Sequence, residues 1–195
     1  MPAYVDHQKR RRQVADVLAT LIATRGLEAV TVRATAEATG FSTRVVSHYF
    51  KGKRELLLYC FRHIARRSKA RLMAGAHKSP GDVRAAINLV LPYNEQARED
   101  WLVWVSFWGL AVADAEFSVV QKQQFSTSRK WLVDLVTIAD QQNRLQEEER
   151  EIAASELLSS LIGVSVQAAF NPDEWPQSRQ EDIMARMIAR CLKIE

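Results

Sequence analysis

The chain has 195 residues, of which 47% are hydrophobic, so it can bury a substantial core and is not disordered by composition. Seven glycines and five prolines are too few for a loop-rich β protein. Residues 1–78 contain 16 Lys and Arg against 5 Asp and Glu, a net charge of +11. Residues 79–195 contain 11 Lys and Arg against 18 Asp and Glu, a net charge of −7. A basic N-terminal part followed by an acidic C-terminal part favours a polyanionic partner that is bound by the N-terminal part only.

Several protein classes are excluded by what the sequence lacks. No apolar run of 18 residues is present and residues 1–15 have no apolar segment, so we predict no membrane span, no signal peptide and a cytoplasmic location. Cys60 and Cys191 are isolated and are expected to be reduced. We find no nucleophile–base set, paired-carboxylate motif, phosphate loop or metal-ligand spacing, and therefore predict no enzyme activity, no cofactor and no metal.

The first predicted helix runs from about His7 to Arg25, because its apolar residues recur three and four positions apart. Residues 1–6 are expected to form a loose arm. The first turns of the helix carry four consecutive cations, from Lys9 to Arg12. These side chains are either a solvated helix end or a set of phosphate contacts, and the sequence leaves both readings open.

The next stretch, residues 31–53, predicts two short helices joined by a tight turn. Thr31 and Ser42 are suitable N-caps because a side-chain hydroxyl can accept from a free backbone N–H. Gly40 lies where the first short helix must end, since glycine adopts a left-handed conformation without a Cβ penalty. The pattern of helix, turn with glycine and second helix is that of a helix-turn-helix, which places the second helix in the major groove.

The second short helix offers the side chains that would contact DNA. Thr43 and Arg44 lie at its start and are expected to reach base edges, with Arg44 donating to guanine. Val45 either touches a thymine methyl group or packs internally. The hydroxyl, imidazole and ammonium groups nearby suit phosphates. The residues predicted to bind DNA are Thr31, Arg33, Ser42, Thr43, Arg44, Val45, Ser47, His48, Tyr49 and Lys53.

These residues resemble the N-terminal domain of the TetR family of repressors over roughly residues 8–56. The resemblance rests on Ala36, Gly40, Ser42, and the run from His48 to Leu56. The run Ser47-His48-Tyr49-Phe50 is similar to the branch that includes a choline-responsive repressor of betaine synthesis. Thr35 departs from the Ile or Leu usual in the family, and Ser47 from a common Tyr. The resemblance implies a dimer joined through the last two helices, a palindromic operator and a small-molecule effector.

A long basic helix is predicted from Lys53 to about Ala76, followed by a break at residues 77–81. The resemblance gives this helix the role of linking the DNA-binding domain to a ligand-binding body. Beyond the break there is no strand-like alternation. We predict further helices at residues 82–94, 101–113, 117–145, 147–170 and 178–193.

Aromatic residues are concentrated in the segment 101–113, which is apolar nearly all round and should form a buried helix. Each aromatic is either a core residue or part of a ligand pocket. The candidate pocket residues are Trp101, Trp104, Phe107, Trp108, Trp131 and Phe170. Such walls suit a quaternary ammonium group, through cation–π attraction, or an apolar ligand. Asp114, Glu116 and Asn171 are either polar partners of that ligand or solvent-facing.

The sequence therefore predicts an all-α protein of about nine helices. Residues 1–52 form a helix-turn-helix DNA-binding domain of three helices, linked through helix 53–76 to a ligand-binding and dimerisation bundle within residues 53–195. The predicted function is a dimeric transcriptional repressor released from a palindromic operator by a small molecule. The alternative is a sequence-independent or structural DNA-binding protein without a ligand.

Overall fold

The computed structural model describes residues 7–142 and 144–194. Within those residues the chain is all-helical, as predicted, with nine α-helices and one short 3-10 helix at Leu27–Ala29. The expected arm at residues 1–6 lies outside the described residues. The helices are α1 (His7–Arg25), α2 (Val32–Thr39), α3 (Thr43–Tyr49), α4 (Lys53–Lys78), α5 (Val83–Asn88), α6 (Glu95–Ala113), α7 (Ala115–Ala139), α8 (Glu147–Phe170) and α9 (Gln177–Leu192).

The predicted helix-turn-helix is formed by α2 and α3. The Thr31 hydroxyl accepts from the backbone N–H of Ala34 at 3.0 Å, and the Ser42 hydroxyl accepts from that of Val45 at 3.2 Å. Gly40 ends α2 in the left-handed conformation, with φ of 70°. The chain therefore reverses where the sequence required it, and both helices begin at their predicted caps.

The core of α1–α3 continues into the rest of the molecule. Val46 and Phe50 are buried against α1, and the same cluster includes Phe61 from α4, Phe107 from α6 and Phe117 from α7. The core therefore extends across the boundary expected after residue 52.

The body is a second core formed by α5, α7, α8 and α9 with the end of α4. Two predicted helices have different bounds. The segment predicted as a helix at 82–94 is helical only to Asn88, and α6 begins at Glu95 because the Asn94 side chain accepts from the N–H of Ala97. The helix predicted to reach residue 145 ends at Ala139, since the Asp140 carboxylate accepts from two backbone N–H groups of the following loop.

Among the described residues, α8 is the one helix whose length and hydropathy would suffice to cross a membrane. Ala153, Leu157 and Leu161 on this helix are buried in the body core, and α8 packs against both α7 and α9. Its apolar character is therefore that of a core helix.

Gly75 allows α5 to pack closely against α4. A Cβ at this position would lie 2.8 Å from Ala86 Cα and 3.3 Å from the Ala85 carbonyl oxygen. We expect Gly75→Ala to lower the free energy of unfolding by about 1–3 kcal/mol, because backbone atoms must shift. Gly109→Ala is the control, since nothing lies within 4 Å of its Cβ, and should stabilise by about 0.5–1 kcal/mol. Urea unfolding measures both, and equal effects of the same sign would contradict the close approach.

Candidate DNA interface and effector cavity

The start of α3 presents the residues expected to read bases. Thr43 and Arg44 are exposed in its first turn, and Val45 is half-buried. Within the part of the chain that the structure describes, Arg44 makes no ion pair. Its guanidinium is thus available to a guanine edge without breaking an internal bond. Ser47 lies exposed on the next turn.

Tyr49 and His48 belong to a small aromatic group with His7 of α1. The Tyr49 hydroxyl and His7 Nδ1 are 3.1 Å apart, and the ring centroids of His48 and Tyr49 are 5.1 Å apart in an edge-on arrangement. His7 is not among the residues predicted to bind DNA. The bond between Tyr49 and His7 links α3, which we call the reading helix, to α1, and the three rings therefore lie together.

The remaining predicted phosphate contacts lie on α2, at the N-caps of α2 and α3, and at the start of α4. Lys53 forms an ion pair with Glu28 at 3.6 Å, and Glu28 is almost fully exposed. An exposed pair of this kind contributes little stability, so a phosphate can replace Glu28 at low cost. Arg33 is exposed on α2. The Thr31 and Ser42 hydroxyls accept the capping bonds, which leaves their O–H protons for phosphate oxygens.

Glu55 is a residue of this region that sequence reasoning missed. One of its carboxylate oxygens accepts from the backbone N–H of Lys51 at 2.9 Å, and the other accepts from Arg11 at 3.2 Å. It thereby fixes both the start of α4 and the first turns of α1. An acidic residue in the first turn of a predicted helix was the available signal.

A cavity of about 90 Å³ lies between α4, α6, α7 and α8, where the sequence predicts a ligand pocket. Four of the five tryptophans of the chain line it, and we call it the tryptophan cavity: Trp101, Trp104, Trp108 and Trp131. The Trp101 indole N–H donates to the Val90 carbonyl at 2.9 Å. The Trp108 indole N–H is buried and has no acceptor among the described residues. The walls are apolar apart from Ser68, Gln124 and Ser128.

Two residues expected in the pocket lie elsewhere. Phe107 points into the core that α1, α4 and α6 share, where its ring stacks on Phe61 with centroids 3.5 Å apart. Phe170 is the last residue of α8 and is 62% exposed. Because α6 is surrounded on several sides, its aromatics divide between two cores, which the sequence alone could not resolve. Asn171 caps the end of α8 and is also exposed.

A charged network joins α1, α4 and α6 beside the cavity. Asp100, which precedes Trp101 and is only 1% exposed, accepts hydrogen bonds from both Arg67 and Arg71 of α4. Arg67 also donates to Asp16 of α1 at 3.0 Å. The same Asp16 oxygen is 2.7 Å from His63 Nε2. A single side chain, Arg67, therefore contacts both the DNA-binding helices and the cavity helix.

Asp114 and Glu116 pair with α4, which we call the connector helix because it joins α3 to the body. Neither acid is among the residues that line the tryptophan cavity. Arg54, near the start of α4, donates to both Asp114 oxygens at 2.6 and 2.8 Å and to Glu116 at 2.7 Å. The hydrogen bonds from Arg54, with those from the backbone N–H groups of Phe117 and Glu116, lower the pKa of Asp114 to about 2. This contact is a second link between the connector helix and the body.

The pairing of Arg54 with Asp114 predicts how the protonation of Asp114 depends on pH. Replacing Arg54 by Ala should raise the pKa of Asp114 from about 2 towards the ordinary 3.8. A carboxylate whose pKa is lowered by folding stabilises the protein above its ordinary pKa, and that contribution is lost as the pH falls through the lowered value. Near pH 3, Asp114 should therefore be mostly ionised in the wild type and protonated to a greater extent in Arg54→Ala, in which the backbone hydrogen bonds remain.

Carboxyl chemical shifts of Asp114 followed by NMR between about pH 5 and pH 2 measure this difference. Arg25→Ala, which removes an exposed charge at the end of α1, is the control. Superimposable titration curves for Asp114 in the wild type and Arg54→Ala would contradict the assigned pair.

The family of the chain follows from its match to known sequences. A model of bacterial regulatory proteins of the tetR family matches residues 15–60, which include α2 and α3. A model of the C-terminal domain of BetI-type transcriptional repressors matches residues 81–193, more than half of the chain. The chain belongs to the TetR family. It is thus a transcriptional regulator of this family with a BetI-type C-terminal domain.

Individual relatives cover most of this TetR-family chain. The HTH-type transcriptional regulator PksA of Bacillus subtilis is 27% identical over 88% of this chain and 84% of its own length. The HTH-type transcriptional regulator BetI of Escherichia coli K12 is 23% identical over 98% of both.

Solved structures show the same fold. A transcriptional regulator from Rhodococcus sp. Rha1 superimposes with a TM-score of 0.81 and 24% identity, over 94% of this chain and 96% of that one. A transcriptional regulator from Saccharomonospora viridis, solved in complex with choline, superimposes with a TM-score of 0.78 and 19% identity, over 93% of this chain and 96% of that one.

Proposed function

We propose that this TetR-family protein is a repressor that binds a palindromic operator as a homodimer in the cytoplasm and leaves it when a small molecule occupies the tryptophan cavity. One observation carries the proposal: α4 begins at Lys53, four residues after α3 ends at Tyr49, and contributes Ser68 and Leu72 to the cavity wall. A single helix therefore connects the reading helix to the effector cavity, so a displacement of the wall is also a displacement of the DNA-binding helices.

The size of the cavity supports a change of shape on binding. At about 90 Å³ it is smaller than a cavity of roughly 150 Å³ that admits benzene. A ligand larger than this binds a form in which α4 and α6 lie further apart. By binding that form better, the ligand shifts the population away from the form that fits both half-sites. Complete switching needs a differential affinity of about 10⁴-fold.

The dimer is supported by the outer face of α8. Ile152 and Phe170 are 53% and 62% exposed, and Val166 between them is half-buried. An apolar stripe of this kind on a helix that already packs against α7 and α9 favours burial against a second copy. A two-fold interface would bury about 800 Å² per partner and would place two reading helices on two half-sites.

The walls of the cavity support an effector with an apolar part. Because the Saccharomonospora viridis relative was solved with choline, choline is one probe for this protein, and uncharged apolar molecules of similar size are others. The four tryptophans suit either, through cation–π attraction or through burial of apolar surface.

The test begins with an operator selected from random duplex DNA by the purified full chain. The proposal expects affinity for this operator to exceed affinity for its scrambled sequence at least 10³-fold, and at least one apolar or quaternary ammonium probe to lower it. Equal binding to both duplexes would favour the sequence-independent DNA-binding alternative and overturn the proposal.

A cavity variant separates effector binding from DNA binding. Trp104→Ala should reduce the response to that probe while leaving operator affinity in its absence within about threefold. Trp175→Ala is the matched control, because Trp175 is the one tryptophan outside the cavity wall. Loss of operator affinity without loss of response in Trp104→Ala would contradict the assigned role.

A further inference from the structure

A second concavity, of about 660 Å³, lies on the outer side of the connector helix between α1, α4 and α7. Its lining includes four cations and no carboxylate, and we call it the basic groove: Arg11, Arg62, Arg66 and Lys69. The facing helix α7 contributes amides and a hydroxyl, and has no acidic residue between Glu116 and Asp134. The groove is thus a concentration of positive charge opposite neutral polar groups.

Most of this charge is uncompensated. Arg11 is paired with Glu55 at 3.2 Å. The other three cations form no ion pair among the described residues: Arg66 lies over the Tyr59 ring at 5.6 Å, and Lys69 Nζ lies over the Trp131 ring at 4.9 Å. Like charges held together on one face repel, and an anion between them would relieve that repulsion.

The basic groove and the tryptophan cavity share a wall. Gln124 and Trp131 of α7 line both. Trp131 therefore has its indole in contact with the apolar cavity and Lys69 over its ring. A ligand that enters the cavity from the groove would place an apolar part among the tryptophans and a polar end beside the cations.

The position of the basic groove argues against a contact with DNA. Arg62 and Lys69 are 9 and 16 residues beyond Lys53 on α4, which at 1.5 Å per residue is roughly 14 and 24 Å along the helix axis. The groove is also concave and shares two wall residues with the apolar cavity. Only its Arg11 end approaches α3, where the Arg11 guanidinium lies over the Phe50 ring at 4.9 Å. The anion that fits is a small molecule.

We propose, on the basis of the function proposed above, that the effector is an amphipathic anion whose apolar chain lies in the tryptophan cavity and whose carboxylate or phosphate head lies in the basic groove. A quaternary ammonium head fits less well. The residues that line the cavity include no carboxylate, and Lys69 already occupies the position over Trp131 that such a head would seek.

Three probes that have similar alkyl chains and different head groups test the proposed anionic effector: decanoate, decanol and decyltrimethylammonium. Binding to the full chain is followed by tryptophan fluorescence, since four of five tryptophans line the cavity. Decanoate should bind about tenfold more tightly than decanol, the factor expected of one charge-assisted hydrogen bond, and decyltrimethylammonium should bind most weakly. The preference for decanoate should fall as salt is raised.

The double variant Arg62→Gln/Lys69→Gln should weaken decanoate about tenfold or more and leave decanol within twofold. The matched control is Lys122→Gln/Lys130→Gln, which removes two exposed charges from α7 that do not line the groove. Equal weakening of all three probes, or tighter binding of decyltrimethylammonium than of decanoate by the wild type, would overturn the assignment of an anionic head.

Operator binding in the absence of probes distinguishes the remaining outcomes. If Arg62→Gln/Lys69→Gln weakens operator binding as much as decanoate binding, the basic groove is part of the DNA interface and the inference is wrong. If decanol or decyltrimethylammonium releases the operator while decanoate does not, the proposed function stands and the anionic effector is rejected. If no probe binds but the operator is recognised, the alkyl chain length or the effector class is wrong. The anionic effector is then rejected and the proposed function is kept.

Discussion

Replacing Asp100 by Ala should lower the free energy of unfolding by about 3–5 kcal/mol, because it leaves two partly buried guanidinium groups without their shared carboxylate. Asp100 is 1% exposed and accepts from both Arg67 and Arg71. The side chains of these arginines are themselves only 17% and 25% exposed, so water can replace the carboxylate only in part. The effect is expected near the lower end of the range, since both arginines retain some access to solvent.

Urea unfolding of Asp100→Ala measures this loss. Glu95→Gln is the control: it removes a carboxylate from the same helix, at an exposed position without an ion pair among the described residues, and should change stability by no more than about 0.5 kcal/mol. A loss in Asp100→Ala no larger than in the control would mean that the arginines are solvated without Asp100. Restoring stability by adding Arg71→Met would support the buried-charge explanation.

Replacing Arg44 by Ala should weaken operator binding by about 1–3 kcal/mol at each half-site, and by twice that for a dimer that contacts both. Arg44 is exposed and makes no internal ion pair among the described residues, so the free energy of unfolding should stay within about 0.5 kcal/mol of the wild type. Binding to scrambled DNA should change far less, because the lost contact reads a base. Fluorescence anisotropy with both duplexes measures the two affinities.

Lys53→Ala is the comparison for Arg44→Ala. Lys53 is predicted to contact a phosphate, so its removal should weaken the binding of operator and scrambled DNA alike and reduce the salt dependence by about one counterion per site. Equal ratios of specific to scrambled affinity for Arg44→Ala, Lys53→Ala and the wild type would show that Arg44 does not read bases.

Local signals in the sequence were sufficient for the DNA-binding helices. Thr31, Gly40 and Ser42 fix three helix ends through hydrogen bonds and backbone conformations that span at most three residues. Such features depend on neighbours in the chain, so they can be predicted from the sequence alone. The same logic explains why α1 ends at Arg25, since Gly26 follows it with a φ of 76°.

The contacts between helices could not be predicted in the same way. The periodicity of residues 101–113 showed only that α6 is buried all round. Which aromatics face the cavity depends on the surrounding helices, and Phe107 packs on Phe61, 46 positions earlier in the chain. The close approach at Gly75 and the pairing of Arg54 with Asp114 likewise join segments that are distant in sequence. The basic groove could not be predicted from the sequence for the same reason, because it forms only where the cations of α1 and α4 face α7.

Arg67 has a consequence for the DNA that this protein can accept. Because its guanidinium bonds to both Asp16 of α1 and Asp100 of α6, we expect the reading helices to rotate little on the body while no effector is bound. In the proposed dimer, an extra base pair between half-sites would turn the second site by about 34° and move it by about 3.4 Å. A stiffly mounted pair of reading helices cannot follow that rotation, so the protein should tolerate substitutions in the central spacer but not a change in its length.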